Sequence, residues 1–188
     1  MGATRTGELA LVESLARAAE RFLSRPTRFI RGGAMNEGRR GAERGTLGKR
    51  TKARECAVQM LYQWEATREP MDRVAGLFWK VRTTTDETRA MAERLARGAQ
   101  REVEELDAAI TAALTNWRFD RIAAVDRTIL RLATWELMHE PDTPSSVVID
   151  EAVEMAKRFG EADSPAFVNG VLDAVRRAVR KHEVAQQR

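Results

Sequence analysis

From Ala53 to the C-terminus nearly every stretch of this chain repeats its apolar residues every three to four positions, and none sustains the period-two alternation of a strand bounded by hairpin turns. That pattern excludes a sheet-based core and predicts an all-helical domain. The spacing predicts a first helix over about 52–66, with Ala53, Ala57, Met60, Leu61 and Trp64 inward and Glu55, Gln59, Tyr62 and Gln63 on the opposite, polar face. A second, over about 71–82, follows Pro70 and buries Val74, Leu77, Phe78 and Val81. Thr84 and Glu87 have the spacing of a capping box that opens a third helix running to about Ala99.

Val103, Leu106, Ile110 and Leu114 mark a fourth helix, and the connector TNWRFD leads to a fifth over about 121–138 with the most regular apolar stripe, which makes it the expected centre of the fold. Thr143–Pro144 and Ser164–Pro165 each read as an N-cap followed by proline at the first helical position, where a missing N–H costs nothing. The sixth helix should stop at Gly160 in a left-handed turn. The seventh, over about 165–180, uses Val168, Val171, Leu172 and Val175 before a polar tail at 183–188.

With 188 residues and 43% hydrophobic composition, the chain suffices for one domain with its own core. Cys56 is the single cysteine and His139 and His182 are the two histidines, so an internal disulfide, a Cys-based zinc cluster and a His-rich metal site are not expected. Cys56, near the apolar face of the first helix, reads as an inert core thiol. Phosphate-loop, dinucleotide, HExxH and GxSxG signatures are absent, and no cofactor is expected. Pairs such as Glu104 and Glu105, or Asp150 and Glu151, read as solvated surface charge, and Asp126 as a structural acid. No apolar run approaches the ~20 residues of a membrane span, and the start lacks the order of a signal peptide. The expected location is the cytoplasm.

Charge is distributed unevenly. Residues 1–54 hold 13 Lys or Arg against 5 Asp or Glu, a net +8, whereas residues 55–188 hold 19 against 23, a net −4. Residues 31–50 contain six glycines and many arginines with almost no large apolar side chain, and read as a flexible basic arm. With the helically spaced Leu9–Arg25 segment this gives an N-terminal extension over 1–48, in which Met35 offers an alternative start. At its end Lys49, Arg50, Lys52 and Arg54 meet the expected start of the first helix, where cations oppose the helix dipole at about 0.3–1 kcal/mol each. A polyanion would turn that repulsion into attraction, its phosphates meeting the cations and the helix N–H groups together. Charge alone leaves nucleic acid, another anion and a merely solubilising tail open. An aromatic within reach would favour single-stranded RNA over duplex DNA; Tyr62, and Phe167 in the first turn of the seventh helix, are the candidates, with burial in the core the alternative for Phe167.

Several segments carry a resemblance. ARECAVQMLYQW at 53–64, NW at 116–117 followed by DRTILRLATWEL at 126–137, and TPSSVVIDEAVEMAKRFGEADSPAFVNGVLDAV at 143–175 resemble the NusB family of bacterial transcription antitermination factors, in order, over about 49–180. The resemblance implies an all-α fold of about seven helices in two packed sub-bundles, spanning 49–182, and a non-enzymatic role: binding the boxA element of nascent ribosomal RNA transcripts with the ribosomal protein NusE, in an antitermination complex on RNA polymerase. It assigns RNA contact to the basic segment before the first helix, here Lys49, Arg50, Lys52 and Arg54 with Thr51 where a further cation is common. It assigns a second contact to the aromatic of the FVNG motif, Phe167, with Asp163 nearby. Asn169 and Gly170 are expected to be structural, Gly170 by permitting close helix packing.

The NusE contact is expected on the acidic helical body, and an exposed apolar helix face would serve either NusE or a homodimer. Two other readings stand beside this one. A related helical domain precedes the catalytic part of some ribosomal RNA cytosine methyltransferases, but no methyl-donor domain is recognisable in this sequence. The other is a protein-interaction module whose RNA contact is incidental.

Overall fold

The computed structural model describes residues 41–115 and 117–186, with side chains over 48–115 and 117–181. Among the described residues are seven α-helices and one 3-10 turn, with no strand: α1 Gly41–Thr67, α2 Met71–Lys80, α3 Asp86–Arg101, α4 Val103–Ala113, the 3-10 turn Phe119–Arg121, α5 Ala124–His139, α6 Ser145–Phe159 and α7 Ser164–Gln186. α1 packs on α2 and α3; α5 packs on α6 and α7, with α4 against both α5 and α7; the α1–α5 seam joins the two groups. The Leu9–Arg25 segment and the first part of the basic arm lie outside the described residues.

α1 starts well before the predicted 52. The stretch read as flexible is helical from Gly41 onward, so Lys49 lies eight residues, more than two turns, inside a helix rather than at its terminus. The dipole acts only within the first turn. The expected repulsion therefore does not operate at Lys49–Arg54, and a phosphate there would meet side-chain charge rather than free helix N–H groups.

The polar face expected on α1 is also largely internal. Glu55, Gln59 and Gln63 are buried, as are Ala53, Cys56, Ala57, Met60 and Leu61 on the apolar face, while Tyr62 is half-buried. A helix enclosed by neighbours on several sides belongs to the core whatever its amphipathic pattern. Cations meet its buried acid: Glu55 accepts from Arg158 of α6 and from Lys52 at 3.4 Å. α5 is enclosed in the same way, with Ile129, Leu130, Leu132 and Ala133 all buried, so the centre is a pair of helices rather than α5 alone. Val81, expected inward, lies just past α2 and is exposed.

Helix caps also differ from the sequence reading. Thr85, not Thr84, caps α3, its hydroxyl accepting from the Thr88 N–H at 3.3 Å. Pro144 itself occupies the N-cap of α6, with no side-chain cap. Gly160 follows α6 at φ −90°, not left-handed; glycine is needed there for space, because a Cβ would lie 2.5 Å from the Ser164 Cβ and 2.8 Å from the Ala156 carbonyl. Cys56 is buried, and that burial pushes its thiol pKa up, as suits an unreactive core group.

Candidate nucleic-acid interface

Four cations on one segment of α1 have different surroundings. Arg54 is buried, with Nε 3.0 Å from both Glu136 carboxylate oxygens and Nη2 2.8 Å from Oε2. Its Nη1 lies 3.8 Å from Oε2 of Glu151, whose other oxygen accepts from the Thr51 hydroxyl at 2.9 Å. Burial raises the Glu136 pKa, outweighing the opposing hydrogen bond and charge of Arg54. The guanidinium fork of Arg54 is thus committed to α5 and α6, and it presents no exposed surface to a phosphate. This departs from the RNA contact that the family resemblance assigns to Arg54.

Lys49, Arg50 and Lys52 are exposed. Lys49 forms an exposed ion pair with Glu87 at 2.8 Å. Its hydrogen bond and charge hold the Glu87 carboxyl below its usual range. Lys52 reaches Glu55 at 3.4 Å, and Arg50 has no ion pair with a described residue. Exposed pairs of this kind contribute little to stability and exchange readily for a phosphate. Arg54 and Thr51 anchor the segment while the three neighbouring cations face solvent.

The second group lies at the start of α7. Ser164 does not cap its own helix as the sequence suggested: its hydroxyl donates to Oδ2 of buried Asp126 at 2.7 Å and accepts from the Glu161 N–H at 2.8 Å, tying α7 to α5. Asp163 is exposed, and its carbonyl accepts from the Phe167 N–H at 3.1 Å. Phe167 is half-buried, its ring centroid 5.4 Å from that of Trp117 with the planes at 53°. The two rings line a groove of about 300 Å³ between the end of α4 and the face of α7 that carries Gly170 and Arg177.

Gly170 does not serve close packing as expected, since a Cβ there would meet nothing within 4 Å. Asn169 is exposed. Trp117, known from the sequence only as part of the NW dipeptide, had one signal that would have singled it out: a large aromatic in a connector rather than on a helix stripe.

The two groups do not form one pocket. Arg54 pairs with Glu136 near the end of α5, whereas Glu65 pairs with Arg127 near its start, so α1 and α5 run antiparallel. Asp126 holds α7 at that second end. At 1.5 Å per residue, the 16 residues from Lys49 to Glu65 place the basic segment about 24 Å along α1 from the Phe167 end. A strand touching both would cross the face of the bundle.

Among the described residues no helix is long and apolar enough to cross a membrane, and no group of three or more His, Cys, Asp or Glu side chains is arranged to hold a metal ion.

Comparison with known proteins places this geometry in a family. The model of the NusB family matches residues 51–177. The chain is 46% identical over 129 residues to the transcription antitermination protein NusB of Sorangium cellulosum (strain So ce56), covering 69% of this chain and 92% of that protein. It is 48% identical over 128 residues to the protein of the same name from Anaeromyxobacter dehalogenans (strain 2CP-1), covering 68% and 89%. Among solved structures, T. maritima NusB superposes with a TM-score of 0.62 at 35% identity, covering 68% of this chain and 90% of that one. A NusB chain from a complex of antitermination factors NusB and NusE with double-stranded RNA gives 0.64 at 28%, covering 70% and 98%. The helix order, the two packed groups and the matched segments together establish that this chain belongs to the NusB family.

Proposed function

We propose that this protein is a transcription antitermination factor that binds boxA-type RNA of nascent ribosomal transcripts together with NusE, as part of an antitermination complex on RNA polymerase in the cytoplasm. The observation that carries the reading is the exposed trio Lys49, Arg50 and Lys52 beside an anchored Arg54. Side-chain ammonium and guanidinium groups held on a rigid helix neutralise phosphates without first ordering a loop. Membership of a family whose members are named transcription antitermination proteins supports it, as does the likeness to a NusB solved with NusE and RNA.

The role is one of binding, not catalysis. Phosphate contacts by the trio fix register, and the aromatic end holds unpaired bases by stacking. The RNA in that neighbouring complex is double-stranded; for this chain single-stranded RNA is the better fit, because Phe167 and Trp117 offer ring surface only to unpaired bases. The deciding experiment is a titration of single-stranded boxA RNA into the full chain with and without NusE, repeated with double-stranded RNA. Reciprocal strengthening of the two ligands supports the antitermination reading. NusE binding that RNA neither requires nor strengthens would instead mark a protein-interaction module.

A further inference from the structure

Trp64 and Trp135 are 9% and 8% exposed, yet Trp117 is 60% exposed. It projects from the connector after α4 beside Phe167; the two rings touch at 5.4 Å between centroids with a 53° tilt, and most of the indole stays open to solvent. Phe167, Gly170, Ala174 and Arg177 follow one another at helical spacing along the opposite wall, on one face of α7. Gly170 lies inside a helix, where glycine is disfavoured relative to alanine, and no neighbour requires its small size. Its effect is to leave the groove unfilled. Arg177, exposed at the far end, has no ion pair with a described residue.

We infer that Trp117 and Phe167 form a stacking site for one unpaired base of the bound RNA, with Arg177 holding a phosphate beside it. The inference rests on the RNA-binding reading above and adds to it Trp117, Gly170 and Arg177. Every base has a π-face, so a pair of tilted rings accepts a base with little preference among the four. The adjoining guanidinium supplies the charge that such a site needs and that an apolar protein segment would not use. The open glycine face lets a base reach the exposed indole of Trp117, at the edge of the Phe167 ring, without displacing a side chain.

The test uses the full chain and a fluorescein-labelled boxA-type single-stranded RNA, together with versions made abasic at successive positions. Trp117→Ala should weaken binding by about tenfold or more while leaving the salt dependence unchanged. Trp117→Phe should restore most of the loss, and Gly170→Val, which fills the groove, should match the alanine variant. At one abasic position the Trp117→Ala penalty should vanish. Arg177→Gln should instead reduce the salt slope by about one.

The inference is overturned if Trp117→Ala and Gly170→Val bind within about twofold of wild type while charge reversal at Lys49, Arg50 and Lys52 still weakens binding. In that case the RNA reading stands. It is equally overturned if the Trp117→Ala penalty is the same at every abasic position, or if an apolar peptide rather than RNA protects the groove. If the wild-type chain binds no RNA at all, the inference and the reading beneath it fail together.

Discussion

Arg54 of α1 grips Glu136 of α5 across 82 residues of sequence, with both side chains almost wholly buried. The pair sits in the seam that joins the two helix groups, so what was read as a ligand-facing cation is a structural clamp. Its removal should be felt first in folding. Arg54→Met leaves a buried, uncompensated carboxylate and should cost about 3–5 kcal/mol in denaturant unfolding, whereas Arg54→Met with Glu136→Leu, which removes both charges, should recover most of it. In that double variant the salt dependence of RNA binding should match wild type, because no phosphate contact has been lost.

Glu136 also gives the fold a pH signature. Its folded pKa is raised above the ordinary 4.5, chiefly by burial, so between 4.5 and the raised value the native state binds more protons than the unfolded chain. The stability tied to this group is therefore fully present below pH 4.5 and declines as pH rises through the folded pKa. Glu136→Gln abolishes that titration. The stability difference, wild type minus Glu136→Gln, should fall with rising pH across this window and then level off; a difference that rises with pH would contradict the assignment.

On the exposed side of the same segment Lys49 pairs with Glu87, and under the proposed function an incoming phosphate competes with that carboxylate. Glu87→Gln should strengthen RNA binding at low salt by freeing that cation. Lys49→Gln, Arg50→Gln and Lys52→Gln should each lower the salt slope by about one, uniformly across RNA sequences. Binding isotherms at several salt concentrations measure both effects, with little change expected in thermal stability.

Two helical glycines should respond in opposite directions. A Cβ at Gly98 would lie closer than 3.0 Å to the indole of Trp135, so Gly98→Ala must move a packed ring and should cost about 1–3 kcal/mol or more. Gly170 faces open space, and Gly170→Ala should stabilise by up to about 1 kcal/mol through helix propensity alone. Thermal melts of the two variants side by side check the contrast.

Much of this protein is legible along the chain because helix formation is local. Apolar spacing, together with turn residues such as Pro70 and Gly160, was sufficient to mark seven helices, and the matched segments identified the family. The same spacing places Phe167 in the first turn of the last helix, but the cations it put at the front of the first helix lie more than two turns inside it. Local pattern does not say what lies against a side chain from a distant element. The burial of Arg54, Glu55, Gln59 and Gln63 was decided by tertiary packing, since neighbouring helices enclose a face that looks polar in isolation, Glu136 of α5 meeting Arg54 and Arg158 of α6 meeting Glu55. Packing likewise decided that Trp117 meets Phe167, and that the basic segment and the aromatic groove lie toward opposite ends of α5. Short-range periodicity fixes the helices; which buried charge finds its counter-charge depends on how those helices cross, and only the assembled core sets that.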